Sequence, residues 1–178
     1  MESTEASSAT NPFREPSATE PDWSREAKQF WQWAPSRSLL ASVRAHQRHA
    51  GSASMIDQAL RRVATLRHRF WSAVTGADIP VTCRIGGGLL MPHPNGIVFH
   101  SDAVLGPNCL VFQQVTLAGD KRGAPTLGGH VDVGAGAKIL GGVTLGDDAK
   151  IGANAVVMTD VSAGATAVGI PARVVERR

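Results

Sequence analysis

The chain has 178 residues, a formal net charge of +3, two cysteines and no tyrosine. That length suits one domain, or a small domain with a helical appendage, and can bury a core. No apolar run is long enough to cross a membrane and the start lacks the basic and apolar regions of a secretory signal, so a cytoplasmic protein is expected. Cys83 and Cys109 cannot build a disulfide framework, and no Cys/His spacing reads as a zinc motif.

Residues 1–22 carry five acids, one base and three prolines with almost nothing large and apolar. Such a segment cannot offset its ordering entropy by burial, so a disordered tail is expected. Residues 23–75 hold nine bases, two acids and all four tryptophans, and read as an α-helical region. Asp22 and Ser36 are expected N-caps, with Pro35 separating a short first helix from a second over Arg37–Ala50. After the break at Gly51, Met55, Ile56, Leu60, Val63, Leu66, Phe70, Trp71 and Val74 recur at helical steps up to Gly76, an expected C-terminal cap. Arg61, Arg62, Arg67, His68 and Arg69 stand between them. Those arginines form either a solvated face or a surface attracted to anionic lipid or polysaccharide, so membrane contact stays open. No base-reading motif accompanies the charge, and no nucleic-acid partner is expected.

Residues 76–178 hold eighteen of the nineteen glycines. Here an apolar or small residue returns every six positions at Leu127, Val133, Ile139, Leu145, Ile151, Val157 and Ala163. Four places after each comes a small or β-branched one: Val131, Ala137, Val143, Ala149, Ala155, Val161 and Ala167. The same beat runs upstream through Ile79, Ile85 and Met91, then through Phe99, Leu105, Val111 and Leu117. This period matches neither a helix nor a plain strand, and marks a repeat architecture. Six residues make one short strand and one corner; three sides close a triangle, and stacked triangles pair each strand with the coils above and below. The narrow interior explains the alternation of large and small inward residues, and places Cys83 and Cys109 inside as inert thiols. The beat is interrupted at Pro92–Gly96 and at Ala118–Thr126, where loops should leave the coil.

The segments Gly76-Ala77-Asp78-Ile79, His93-Pro94-Asn95-Gly96-Ile97-Val98, Gln114-Val115-Thr116-Leu117, Val133 to Leu140 and Ala167 to Arg173 resemble the serine acetyltransferase-like family of hexapeptide-repeat acyltransferases. The resemblance covers residues 76–173 and, more weakly, 36–75. It implies a mainly β protein, a left-handed parallel β-helix preceded by a short α-helical region. It also implies acetyl-CoA as co-substrate, no metal, and a homotrimer, or a higher assembly, with active sites between neighbouring coils. By the same resemblance His93 is the catalytic base, Asp78 its partner, and Gly119 the backbone donor to the thioester oxygen. Ala135, Lys150 and Ala153 would line the CoA groove. The chemistry suits these types: a hydroxyl attacking a thioester must lose its proton as the bond forms, and imidazole removes it at neutral pH.

Pro92 and Gly123-Ala124 stand where serine-acetylating members carry an aspartate and an Arg-His pair. A zwitterion would find few partners there. The expected function is therefore acetyl transfer to a hydroxyl, of a saccharide by this reasoning, with serine O-acetylation as the alternative. Two other classes are weighed: a zinc hydrolyase using His93, His100 and His130, and a non-catalytic scaffold. His100 and His130 are otherwise read as surface residues.

Overall fold

The computed structural model describes residues 16–175. A 3-10 turn, Trp23–Arg25, precedes α1 (Pro35–Arg48) and α2 (Met55–Thr75). Thirteen short strands follow: β1 (Arg84–Ile85), β2 (Val98–Phe99), β3 (Val104–Leu105), β4 (Leu110–Val111), β5 (Thr116–Ala118), β6 (Thr126–Leu127), β7 (Asp132–Val133), β8 (Lys138–Leu140), β9 (Thr144–Leu145), β10 (Lys150–Ile151), β11 (Val156–Val157), β12 (Thr166–Val168) and β13 (Arg173–Val175). They stack into three sheets, β1-β3-β6-β9, β4-β7-β10-β12-β13 and β2-β5-β8-β11. Each coil runs from the β1 face to the β4 face to the β2 face, and every pairing is parallel except that of β13. This is the expected left-handed β-helix of hexapeptide repeats, about five turns long with two helices before it.

The sixfold beat builds the core. Ile85, Leu105, Leu127 and Leu145 stack inside the β1 face, Val111, Val133, Ile151 and Ala167 inside the β4 face, and Phe99, Leu117, Ile139 and Val157 inside the β2 face, all buried. The small residues between them, including Cys83 and Cys109, are fully enclosed. Burial pushes both thiols up to about 11, so neither is a thiolate at neutral pH. At one place the beat misleads: Ala163 is exposed and Val161 takes the inward seat against Leu145. The side after Val157 is shorter by two residues, because Met158-Thr159-Asp160 turns the corner early and Asp160 Oδ1 caps the Thr144 N–H at 2.7 Å.

Tight corners demand left-handed backbone at fixed places. Gly88, Asn108, His130 and Asp148 form one such column and Gly96, Gln114, Gly136 and Asn154 another, all with positive φ. Gly, Asn and Asp are the residues that tolerate this conformation best. At the neighbouring position a side chain is excluded outright: a Cβ on Gly106 would lie 2.5 Å from the Gly128 carbonyl carbon.

The helical region differs from expectation at its start. In place of a first helix between Asp22 and Pro35 there is the single Asp22-capped turn at Trp23–Arg25. Pro35 opens α1 at its first helical position, with Ala34 rather than Ser36 at the N-cap, because the proline's missing N–H costs nothing there. Gly76 closes α2 in left-handed conformation (φ 65°), as expected. α1 buries Leu39, Leu40 and Val43. α2 buries only Ala64 and Thr75, so Ile56, Leu60, Val63, Leu66 and Phe70 lie open along one stripe with Arg61, Arg62, Arg67 and Arg69 exposed beside them.

Residues 1–15 of the expected tail lie outside the described residues. Residues 17–22 are instead held against the coil by Asn108, whose side chain is fully buried. Its Oδ1 accepts from the Asp22 N–H at 2.8 Å and its Nδ2 donates to the Ser17 and Glu20 carbonyls at 2.7 Å. One buried amide satisfying three backbone groups outweighs the poor apolar content of the segment.

Glu26 and Arg44 bolt this segment and α1 to the first coil. Glu26 Oε1 accepts from Arg44 at 2.9 Å and from the Gly88 N–H at 2.8 Å, while Arg44 donates to the Ile85 and Gly86 carbonyls. Both side chains are largely buried. Glu26→Ala leaves the guanidinium without its counter-charge and the Gly88 and Leu89 N–H groups without an acceptor, so a loss of about 3 kcal/mol is expected in urea unfolding; a cost near zero would show the bolt is not closed in solution.

Candidate active site

The three corners of the prism distribute the expected site residues. His93 lies in the loop Pro92–Gly96 that feeds β2, on the edge between the β4 and β2 faces. Asp78 sits on the coil below at the same edge. It bridges Val98, the Asp78 N–H donates to the Ile97 carbonyl at 2.8 Å, and the Gly96 N–H donates to the Gly76 carbonyl at 2.8 Å. Both side chains are exposed. No hydrogen bond joins them among the described residues, and they open into neighbouring cavities. His93 faces Pro35, Ser36, Val74 and Thr75, at the facing ends of α1 and α2. Asp78 faces Thr65, His68, Arg69 and Ser72, farther along α2. The structure thus brings the pair to one edge, with the helices flanking it, without locking them together.

The same edge continues upward through Gln114, Ala135 and Ala153. The Gln114 N–H donates to the Asn95 carbonyl at 2.9 Å, the Gly136 N–H to Gln113 at 2.8 Å, and the Asn154 N–H to Ala135 at 2.8 Å, so these corners are stacked. Lys150 stands on the adjacent β4 face, 3.8 Å from Asp132. Lys138 reaches down this column to the Gln114 carbonyl at 2.5 Å.

Gly119 is elsewhere. It begins the loop Ala118–Thr126 on the edge between the β2 and β1 faces, at the far end of strand β5. The loop leaves the coil as expected: Leu105 pairs with Leu127, twenty-two residues on, whereas Phe99 pairs with Leu117, eighteen on. Asp120 and Gly123 exchange backbone hydrogen bonds at 2.8 and 2.9 Å, and Arg122 returns to Asp120 at 2.9 Å. That contact holds the exposed Asp120 carboxyl below its ordinary value. The Gly119 N–H has no acceptor among the described residues.

Two residues near these edges have neighbours that the sequence does not reveal: Gln113, which no motif marks, and His100, expected as a surface residue or a zinc ligand. Gln113 keeps its Oε1 buried without a hydrogen-bond partner among the described residues. His100 lies beside Gly119: a Cβ there would meet three ring atoms of His100 at 3.0 to 3.1 Å. Neither belongs to a short motif, and only the stacking of coils reveals their neighbours. His130 stands at the third corner, 2.8 Å from Asp148. His93, His100 and His130 therefore occupy three different corners, and within one chain they cannot converge on one zinc ion.

A triangular coil with a sixfold beat, a charged edge and a looped-out turn defines a hexapeptide-repeat β-helix protein, and the bacterial transferase hexapeptide (six repeats) family matches residues 124–159. Serine acetyltransferase of Helicobacter pylori strain J99 is 39% identical over 144 residues, 79% of this chain and 80% of the relative. The chain belongs to the serine acetyltransferase family. Serine acetyltransferase of Synechococcus elongatus is 39% identical over 127 residues, 69% of this chain but 52% of the relative, so this chain spans about half the length of such longer members. Two solved structures are similar: a serine acetyltransferase in complex with CoA (35% identity, TM-score 0.67, 80% of this chain and 58% of that one), and the Neisseria gonorrhoeae serine acetyltransferase in complex with serine (33%, TM-score 0.68, 81% and 58%). No helix among the described residues is long and apolar enough to cross a membrane.

Proposed function

We propose that this protein is an acetyl-CoA-dependent O-acetyltransferase acting on the hydroxyl of serine. The observation that carries the reading is the match to the Helicobacter pylori serine acetyltransferase over four-fifths of both chains. His93 removes the hydroxyl proton as the oxygen attacks the thioester carbonyl. The Gly119 N–H steadies the oxyanion, and the proton passes to the departing sulfur, giving the O-acetyl product and free CoA thiol. Asp78, at the same edge, stabilises the imidazolium; such pairs often tighten only with substrate bound. Ala135, Ala153 and Lys150 form the wall along which CoA lies.

The site needs a second copy of the chain, and a homotrimer is the assembly we propose. Gln114, stacked on the His93 loop, is five residues of strand and corner from Gly119, a span on the order of 15 Å. One chain therefore cannot offer His93 and Gly119 to one thioester, whereas the His93 edge of one copy against the Gly119 edge of the next can. The open apolar stripe of α2 supports self-association, since so much exposed apolar surface is unusual on a monomer. Pro92 and Gly123-Ala124 still favour a neutral hydroxyl, so a saccharide is the competing acceptor.

Incubation with acetyl-CoA and either serine or a neutral saccharide, with free thiol measured, decides between them. Thiol release with serine is the expected result, and the buried Cys83 and Cys109 add no background. Release with the saccharide alone would overturn the serine assignment. Release with neither, and no rise in melting temperature on adding CoA, would overturn acetyl transfer itself.

A further inference from the structure

We infer that His100 is a second hydrogen-bond donor to the thioester oxygen, forming with the Gly119 N–H a two-donor oxyanion site; this rests on the acetyl-transfer reading and deepens it. The alternation of strand β2 sends Val98 outward, Phe99 inward and His100 outward, onto the edge from which the loop Ala118–Thr126 departs. The His100 N–H donates to the Leu117 carbonyl at 2.8 Å, which fixes the residue directly beneath Ala118 and Gly119. Cδ2, Nε2 and Cε1 lie at 3.0, 3.0 and 3.1 Å from the place a Gly119 Cβ would occupy. Three consecutive ring atoms at one distance mean the imidazole lies flat over the glycine. That stacking is possible only because residue 119 has no side chain.

The tautomer follows from the other side of the ring. The Asp102 N–H donates to His100 Nδ1 at 3.2 Å, so Nδ1 accepts, and a neutral imidazole carries its proton on Nε2. Nε2–H has no acceptor among the described residues, and the ring is 41% exposed. Two unpartnered N–H donors, one from backbone and one from imidazole, therefore stand side by side on the edge that faces the neighbouring copy's His93 in the proposed trimer. An oxygen gaining negative charge between them accepts from both, and donors held in place before reaction cost no reorganisation. The arrangement separates the two imidazoles by role: His93 takes a proton, and His100 donates a hydrogen bond and keeps its proton.

His100→Leu removes the donor while filling similar space, and His100→Gln returns an N–H at a similar reach. The expected result is a kcat lower by about 10²-fold in His100→Leu, with KM for acetyl-CoA and serine nearly unchanged, and partial recovery in His100→Gln. An unchanged kcat in His100→Leu, a change confined to KM, or no difference between the two variants would overturn the assignment. Wild-type protein that releases no thiol with any hydroxyl acceptor would instead overturn the acetyl-transfer reading. The donor is then read in 15N-histidine spectra, where the signal missing from His100→Leu should report a proton on Nε2 and shift when acetyl-CoA is added. A signal unmoved by acetyl-CoA overturns the donor.

Discussion

His93→Ala should lower acetyl transfer at pH 7 by about 10²- to 10⁴-fold, read as thiol release at saturating acetyl-CoA, with the melting temperature essentially unchanged. The two halves of that result have separate causes. The ring is exposed and has no hydrogen-bond partner among the described residues, so truncating it removes no packing and strands no buried group. The loop is held by other means: Pro92 and Pro94 restrict its backbone, and the Asn95 carbonyl and Gly96 N–H are bonded to Gln114 and Gly76. Rate, by contrast, depends on a base that is largely unprotonated at neutral pH yet basic enough to take a hydroxyl proton. Asp78 remains on the edge in the variant, but a carboxylate is a much weaker base than an imidazole. Asp78→Asn should cost less than His93→Ala, because it removes the stabilisation of the imidazolium and leaves the base in place. A His93→Ala enzyme within a few-fold of wild type would end the general-base mechanism.

How much of this was legible beforehand depended on the range over which each feature is encoded. Leu127, Val133, Ile139, Leu145, Ile151 and Val157 announce the coil because every strand repeats one local instruction, and all are buried where the beat places them. Ala163 fails for a local reason too: alanine fits an inward or an outward seat equally, and the early turn after Val157 is decided by the Asp160 cap on the coil below. The ordering of residues 17–22 was invisible because it depends on Asn108, some ninety positions away, whose left-handed corner aims its amide at the segment. The edge shared by His93 and Asp78 came from resemblance, since fifteen residues of separation do not by themselves say which corners stack. His100 was hidden most completely. Its partner Gly119 is brought above it only by the register of β2 on β5, and a histidine at the end of an exposed strand has no motif to mark it.

Ile139→Ala should destabilise the protein by roughly 2–5 kcal/mol, a fall in melting temperature of about 4–20 °C. Ile139 is fully buried in the middle of the β2 face, with Leu117 one coil below and Val157 one coil above. The cavity left cannot close easily, because the coil positions are set by ladder hydrogen bonds on all three sides rather than by side-chain size. In a solenoid each coil is stabilised mainly by its two neighbours. Weakening this coil therefore loosens the coupling between the loop-bearing turns below it and the C-terminal turns above. Hydrogen exchange should show the loss spreading to Thr116–Ala118 and Val156–Val157 before it reaches β1. The control is Ala163→Ser: the beat places residue 163 inside, the structure places it in solvent, and a change within about 0.5 kcal/mol is expected. A costly Ala163→Ser beside a mild Ile139→Ala would mean that the last coil holds the full period and Val161 does not fill the inward seat.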